Sequence, residues 1–160
     1  MDMNKKADRY QRLHAQLAEL MKKTSDPLAR MATIAALLFH KMDYFFWCGF
    51  YRLLQGELVV GPYQGPLACQ VLAKNKGVCW TGINEEKTII VPDVQQFSGH
   101  IACDSRSRSE IVVPFRDNLG KIAGVLDVDS DRLAQFDEVD SRQLARIVAM
   151  LYLDATLAGS

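Results

Sequence analysis

Residues 109–129 read SEIVVPFRDNLGKIAGVLDVD, and the fold can be worked out from this stretch in both directions. Its two halves, 109–116 and 121–129, are rich in the β-branched and apolar residues that are typical of strands. Between them lies Asp117-Asn118-Leu119-Gly120, whose residue types favour a tight turn. The stretch therefore predicts an antiparallel hairpin that contributes two strands to a sheet.

The segments on either side of the hairpin predict further strands and flanking helices. Apolar residues at helical spacing indicate a first helix over residues 4–24. Asp26-Pro27 begins a second helix, because Asp is a good N-cap and Pro suits the first helical position. Phe136-Asp137 begins a long helix that we expect to reach residue 157. The remaining predicted elements are strands over 44–53, 58–63 and 88–91, a turn at Gln55-Gly56, a short helix over 67–74 that stops at Lys76-Gly77, and a turn or helical piece over 93–97.

This order of elements predicts an α+β fold, in which an antiparallel sheet carries the N- and C-terminal helices on one face. No repeat or low-complexity linker interrupts the chain, so we expect residues 1–160 to form a single domain. Within it, residues 1–42 supply the N-terminal helices, 43–130 the sheet and site loops, and 136–157 the C-terminal helix. The long first helix is amphipathic, which indicates a homodimer about as strongly as packing within one chain.

The overall composition excludes several classes of protein. Lysine plus arginine and aspartate plus glutamate number 19 each, so the net charge is zero and no long-range field favours nucleic acid or an anionic membrane. The longest apolar run, 31–39, is far shorter than the roughly 18 residues of a membrane span. The first residues lack the apolar core of a signal peptide, so we expect a reduced, cytoplasmic location where a disulfide is usually transient and catalytic.

The predicted hairpin brings three acidic residues close together. Asp127 and Asp129 are two residues apart on a predicted strand and therefore share a face. Glu110 opens the partner strand, and pairing around residues 118–119 places it near the level of Asp127. Like charges on one face repel unless a cation lies between them, so these carboxyls predict a pocket for an ammonium group, a lysine or a metal ion. The alternative is a solvated strand end.

Cys103 has the most reactive surroundings of the four cysteines. It lies in GHIACDSRSRSE, near His100, Arg106 and Arg108, and nearby positive charge lowers the pKa of a thiol. The alternative is a small buried residue, which is the usual role of a free cysteine. The other cysteines are Cys48, expected in the core, and Cys69 and Cys79, either of which can approach Cys103 in space. No pair has the close spacing of a zinc site, and we expect no bound metal.

An aromatic pair marks the first strand. Trp47 and Tyr51 flank Gly49 on one face, opposite Cys48 and Phe50. A glycine between two aromatic side chains can form a slot with aromatic walls, whereas ordinary core packing is the alternative.

Taken together, these residues resemble the free methionine-(R)-sulfoxide reductases, which are stand-alone proteins of GAF fold. The resemblance covers most of the chain from 44 to 130, and the three later cysteines keep the family's intervals of 10 and 24 residues. The motifs that carry it are W-x-G-F-Y at 47–51, G-P-Y-Q-G-P-L-A-C at 61–69, G-V-C at 77–79, G-H-I-A-C-D-x-x-S-x-S-E-I-V at 99–112 and G-V-L-D-V-D-S at 124–130. The chain departs from the family at Trp80, where glycine is frequent, and at the extra Cys48.

The resemblance implies a thiol-dependent reaction. Cys103 would attack the sulfoxide sulfur as a thiolate and become a sulfenic acid, while Glu110 protonates the substrate oxygen. Cys69 or Cys79 would then form a disulfide with Cys103, and thioredoxin would reduce it by exchange, with no bound cofactor.

The resemblance also implies how a free amino acid is held. Asp127 and Asp129 would hold its ammonium group, Glu110 would also contact the substrate, and Trp47 and Tyr51 would wall the methyl-sulfur end. A peptide-bound methionine has no ammonium group, so the free amino acid is the expected substrate.

Two other classes of function remain open from the sequence. GAF domains often bind a small ligand and signal to an attached domain, although we expect no output domain here beyond residue 157. The third possibility is a structural dimeric subunit whose cysteines are incidental, which thiol titration distinguishes because a reactive Cys103 alkylates at lower pH.

Overall fold

The predicted hairpin is present in the computed structural model, which describes residues 1–100 and 103–154. Its strands are Ser109–Arg116 and Ile122–Ser130, and the Asp117 side chain accepts hydrogen bonds from two backbone N–H groups of the turn. Glu110 pairs with Asp129, whereas the sequence placed it near the level of Asp127. The turn is centred on residue 119, and a further register shift lies between Phe115 and Arg116. Asp127 is therefore the diagonal neighbour of Glu110 on the same face.

The hairpin lies inside a larger antiparallel sheet. The strands are β1 (Trp47–Leu54), β2 (Glu57–Gln64), β3 (Val71–Leu72), β4 (Ile89–Val91), β5 (Ser109–Arg116) and β6 (Ile122–Ser130), and the helices are α1 (Met3–Leu20), α2 (Pro27–Lys41), α3 (Gly77–Glu85) and α4 (Glu138–Val148). The strands of the described residues run in the order β3-β2-β1-β6-β5-β4, so the hairpin's second strand pairs with the first strand of the chain.

The terminal helices cover one face of the sheet, as the sequence predicts. Asp26 caps α2 by accepting a hydrogen bond from the Ala29 N–H, and Asp137 forms a capping box at the start of α4. The apolar stripes of these helices pack on the inward side chains of β1, β5 and β6. The buried residues that they share include Tyr10, Leu13, Leu17, Met31, Ile34, Leu38, Cys48, Phe50, Ile111, Val113, Leu126, Leu144 and Ile147.

A buried polar network fixes α1 against α4. Lys6 Nζ lies 2.7 Å from Asp140 Oδ2, and the hydroxyls of Tyr10 and Tyr44 both donate to Asp140 Oδ1. Lys6 also reaches Asp137, so the buried carboxylate and the ammonium group are both satisfied. The apolar stripe of α1 is consequently used within the chain, which removes the sequence argument for a dimer through that stripe.

The opposite face of the sheet carries α3, an element that the sequence analysis missed. Lys76-Gly77 was predicted to stop a helix over 67–74, but residues 67–74 contain only the short strand β3, and Gly77 begins a helix. Gly77 has φ +87°, a conformation that glycine adopts at little cost. The helix lays Val78, Cys79 and Ile83 on a second apolar cluster that includes Val112 and Val125.

The C-terminal helix is shorter than predicted. It ends at Val148, and turns follow to Tyr152. Residues 155–157 of the predicted helix lie outside the described residues. Among the described residues, no helix has both the length and the apolar character needed to cross a membrane.

Candidate active site

A cavity of about 60 Å³ opens on the α3 side of the sheet. Its floor is formed by outward side chains of β1, β5 and β6, and its wall by the start of α3. The residues at its rim are Leu67, Ala68, His100, Cys103, Asp104 and Ser107. Every residue assigned to the site from the sequence lines it, except Cys69, whose sulfur is bonded to Cys103 at the rim. The hairpin and the first strand thus bring together the groups that lie up to 82 residues apart in sequence, from Trp47 to Asp129.

The three carboxyls form the polar end of the cavity. Glu110 and Asp127 are 5% and 6% exposed, and Asp129 is half-buried. Burial is the main cause that raises the pKa of all three, and the charge of Asp127 adds to the rise at Glu110 and Asp129. In residues 1–100 and 103–154, no lysine or arginine side chain forms an ion pair with them. The cluster is therefore suited to a cation supplied from outside the chain.

Cys103 and Cys69 are joined by a disulfide, with their Cα atoms 5.7 Å apart. Cys103 is exposed on the loop, whereas Cys69 is half-buried. Of the two partners that the sequence left open, the structure pairs Cys69 with Cys103 and leaves Cys79 free and buried. Burial and the nearby charge of Asp127 raise the pKa of the Cys79 thiol, so that thiol is protonated at neutral pH.

The Trp80 side chain does not line the cavity. It is buried beside the β1–β2 turn and Lys74, on a side of α3 different from that of Cys79, so it does not obstruct the approach to the Cys79 thiol.

The aromatic wall is built as predicted, although the space above Gly49 is not an open slot. Trp47 stacks on Tyr51 and on Tyr63, with ring centroids 5.9 and 5.3 Å apart. A Cβ on Gly49 would overlap Tyr63 and the Trp47 ring, so the glycine is what lets these rings close over the strand. Hydrogen bonds from Trp47 Nε1 to the Pro66 carbonyl and from Tyr51 OH to the Cys69 carbonyl attach the rim segment to this wall.

The loop that carries Cys103 is held by its charged residues. The Arg106 guanidinium donates to Asp104 at 2.7 Å and lies 4.9 Å from the centre of the Phe46 ring. The hydrogen bonds from Arg106 lower the pKa of Asp104 to about 2. His100 Nε2 lies 3.8 Å from Glu110 Oε2, and partial burial lowers the pKa of His100, which favours the neutral imidazole beside Glu110.

Several lining residues had no sequence signal strong enough to identify them. Phe46 precedes the predicted motif at 47–51, Lys76 belongs to the predicted helix stop, and Ser107 is one of three serines in the loop. Ser107 hydrogen bonds to Asp129 and thereby opposes the rise in that carboxyl's pKa. The alternation of serines at 105, 107 and 109 before the strand is the signal that could have indicated Ser107.

The fold also creates a set of donor atoms that the sequence spacing did not suggest. The Cys79 sulfur and one carboxylate oxygen each from Glu110 and Asp127 lie within 4.8 Å of one another. These side chains come from α3, β5 and β6, so no short sequence interval connects them.

The fold and the site define the class of protein first. A family profile described as "GAF domain" matches residues 24–151, and the chain belongs to the GAF-domain family. GAF domain-containing protein A of Dictyostelium discoideum is 46% identical over 147 residues, which cover 91% of this chain and 92% of that protein.

Within that class, the comparisons converge on one enzyme family. The free methionine-R-sulfoxide reductase of Escherichia coli is 38% identical over 146 residues, covering 91% of this chain and 88% of the enzyme. The X-ray structure of free methionine-R-sulfoxide reductase from Neisseria meningitidis in complex with its substrate superposes with a TM-score of 0.88 at 39% identity, covering 99% of this chain and 92% of that one. The chain belongs to the free methionine-R-sulfoxide reductase family.

Proposed function

We propose that this protein reduces free L-methionine-(R)-sulfoxide to methionine with its own thiols. The observation that carries the proposal is the disulfide between Cys69 and Cys103 at the rim of a cavity whose far end holds three carboxyls. The family's named enzymes and the substrate complex of the Neisseria relative support the same reaction.

The first half of the reaction belongs to Cys103. Its thiolate bonds to the electrophilic sulfoxide sulfur, the oxygen gains a proton from Glu110, and methionine leaves as the oxygen passes to Cys103 as a sulfenic acid. The raised pKa of Glu110 keeps that carboxyl protonated at a pH where an ordinary glutamate has lost its proton, as a general acid requires.

The second half belongs to Cys69. Its thiol attacks the sulfenic sulfur, the sulfur–sulfur bond forms, and the oxygen leaves as water. Two thiols and one sulfoxide thus give one disulfide, one thioether and one water. The buried Cys79 remains a reduced thiol beside Asp127 in this scheme.

The cavity selects the free amino acid through its charge. The ammonium group lies between Asp127 and Asp129, where it supplies the positive charge that these carboxylates lack, while the protonated Glu110 remains available to the sulfoxide oxygen. The methyl-sulfur end of the substrate contacts the face of Trp47 and the Tyr51 ring, and the sulfoxide sulfur points towards the Cys103 sulfur.

Recycling requires an external dithiol, which we propose is thioredoxin, and no bound cofactor takes part. The exposed Cys103 makes the disulfide accessible to such a partner. A reducing compartment such as the cytoplasm provides the required supply of thioredoxin.

We further propose that the protein acts as a homodimer, which requires a face other than the buried stripe of α1. Light scattering on the eluting protein measures the mass, and a mass of one chain at assay concentrations contradicts the dimer.

The experiment that tests the reaction is NADPH consumption with thioredoxin and thioredoxin reductase. We expect multiple turnovers of free L-methionine-(R)-sulfoxide and none of the (S) epimer. Cys103→Ser should abolish turnover, whereas Cys48→Ala, which changes a thiol buried under the helices, should retain it. Retained turnover in Cys103→Ser, or none in the unmodified protein, contradicts the proposal.

A GAF domain that only binds a small ligand is the second candidate, supported by the enclosed cavity and by the resemblance to a putative GAF sensor protein from Burkholderia vietnamiensis at TM-score 0.88 and 41% identity. Such a sensor binds one equivalent of ligand and converts none, so the same assay distinguishes the two.

A further inference from the structure

A thiol and two carboxyls converge inside the cavity, and the proposed reductase reaction leaves the thiol, that of Cys79, unused. The Cys79 sulfur and one oxygen each of Glu110 and Asp127 lie within 4.8 Å of one another, and all three side chains are more than nine-tenths buried. Asp127 Oδ1 has no hydrogen-bond partner although solvent does not reach it. Because an unpartnered buried oxygen is costly, this position calls for a donor or a cation.

We propose that Cys79, Glu110 and Asp127 form a binding site for one thiophilic divalent cation, with Zn²⁺ as the best match. Zinc takes thiolate, imidazole and carboxylate ligands at about 2.0–2.3 Å in a tetrahedron. Bringing three atoms that already lie within 4.8 Å to those distances needs only small side-chain movements. The fourth position is open to water or to His100 Nε2, which lies 3.8 Å from Glu110 Oε2.

The chemistry of the three donors selects the class of cation. A thiolate ligand favours zinc, cadmium and copper(I) over magnesium and calcium, which prefer oxygen donors alone. The cavity of about 60 Å³ also exceeds the roughly 10–15 Å³ that one water needs, so an ion with one water fits. The two carboxylates and the thiolate supply three negative charges to a cation of charge two.

This site exists whether the other two cysteines of the cavity are reduced or oxidised. Cys79 takes no part in the disulfide between Cys69 and Cys103, so its thiol is available in the oxidised chain. Metal binding therefore does not depend on the proposed reaction. One consequence does rest on it: Zn²⁺ would occupy the place of the substrate's ammonium group and compete with it.

The test titrates Zn²⁺ into the oxidised chain in competition with a chromophoric zinc chelator, without substrate or reductant. We expect one zinc per chain. Cys79→Ser and Asp127→Asn should each weaken binding by about tenfold or more, since even groups that only support metal ligands typically contribute 10–100-fold. Protons released on binding should accompany the zinc, because the thiol must lose its proton.

Two matched controls separate this site from others on the same chain. Cys48→Ala removes the other free thiol, which is buried on the opposite face of the sheet, and should leave zinc affinity within about threefold of the unmodified chain, well inside the loss that a ligand produces. Asp129→Asn changes a carboxyl that lines the same cavity but lies outside the three donors, and should affect zinc binding much less than Asp127→Asn.

A second measurement does not depend on how well the variants fold. Cd²⁺ added to the unmodified oxidised chain should produce the ultraviolet charge-transfer band of a cadmium–thiolate bond, with one equivalent. No band or no stoichiometric binding overturns the proposal. A band that persists in folded Cys79→Ser also overturns it, because the thiolate ligand would then be the other free cysteine, Cys48. Failure of the reductase assay leaves these outcomes unchanged, so the two proposals fail separately.

Discussion

At the scale of single residues, Asp127 is the acid whose surroundings most clearly require a cation. Its carboxyl is buried between Glu110 and Cys79, and one of its oxygens has no hydrogen-bond partner. We expect Asp127→Ala to lower kcat/KM for free methionine-(R)-sulfoxide by roughly 10- to 100-fold, mainly through KM, because a lost contact to a charged group is worth about 1.5–3 kcal/mol. Steady-state kinetics at saturating thioredoxin measure it.

The control for the Asp127→Ala measurement is a modified substrate and not a second protein variant. N-acetyl-methionine-(R)-sulfoxide has no ammonium group, so any slow turnover of it should be nearly equal in Asp127→Ala and in the unmodified chain. An unchanged kcat/KM for the free amino acid would show that Asp127 makes no ammonium contact.

Glu110 has a second role at this scale, because its burial sets how stability depends on pH. Its pKa is raised above the value of about 4.3 in the unfolded chain, so the folded chain binds the extra proton and loses stability as pH rises above about 4. Glu110→Gln removes this cost. We expect the variant to be inactive, yet more stable than the parent near neutral pH, and to unfold like the parent near pH 3.

Thermal unfolding at several pH values measures this effect, and each kcal/mol of added stability corresponds to a rise in Tm of about 2–4 °C for a chain of this size. Glu138→Gln, at an exposed position of α4, serves as the control and should change Tm little at any pH. A Glu110→Gln variant less stable than the parent at neutral pH would contradict a raised pKa.

At the scale of elements, Arg30 connects three chain segments from inside the protein. It is 1% exposed on α2, and its guanidinium donates to the backbone carbonyls of Met21 and Thr24 after α1, and of Met150 and its neighbours after α4. Arg30→Ala leaves these buried carbonyls without a donor. We expect it to lower the free energy of unfolding by about 3 kcal/mol or more.

Urea denaturation followed by tryptophan fluorescence measures the loss at Arg30. Arg12→Ala, on the exposed side of α1, is the matched control and should change the free energy of unfolding by no more than about 0.5 kcal/mol. Arg30→Lys keeps the charge but not the planar set of N–H donors, so its free energy of unfolding should lie between those of Arg30→Ala and the parent. Equal stability of Arg30→Ala and the parent would mean that these carbonyls find other donors.

Elements with strong periodicity and caps were predictable, whereas those set by contacts between segments were not. Asp26-Pro27 and the apolar stripe of α2 are local signals, and both were confirmed. The helix predicted over 67–74 was wrong, because hydrogen bonds from Tyr51 and from β2 hold that segment extended, and a hydrogen bond from Trp47 holds the preceding Pro66. Leu67 is left 85% exposed. α3 was missed because Gly77 was taken as a stop, although Cys79 and Ile83 have helical spacing.

At the scale of the whole molecule, the sequence predicted which residues form the site. It did not predict their strand register or the disulfide pairing. The convergence of Glu110, Asp127 and Asp129 followed from hairpin pairing, although the register was offset by two residues, one from the position of the turn and one from the bulge. The choice between Cys69 and Cys79 as the partner of Cys103 depended on how the rim segment and α3 pack on the sheet. No local pattern contains that information.

The two cysteines of the disulfide differ in their exposure to solvent, and this difference determines which sulfur an external thiol attacks. Cys103 is exposed, whereas Cys69 is half-buried against the aromatic wall through the hydrogen bond from Tyr51 OH to its carbonyl. We expect the thioredoxin thiolate to attack the Cys103 sulfur, which forms a mixed disulfide with Cys103 and releases Cys69 as the thiolate. The second thioredoxin thiol then frees Cys103 for the next sulfoxide.

A thioredoxin variant without its second cysteine traps that intermediate, and mass spectrometry of the digested complex identifies the cysteine that carries thioredoxin. We expect Cys103 in the adduct and an alkylatable thiol at Cys69, with the buried Cys48 and Cys79 in neither. An adduct at Cys69 would mean that the rim opens before the partner attacks. The site of attack would then depend on movement of the rim and not on the exposure of the two sulfurs in the disulfide-bonded structure, because exchange requires direct access to the sulfur.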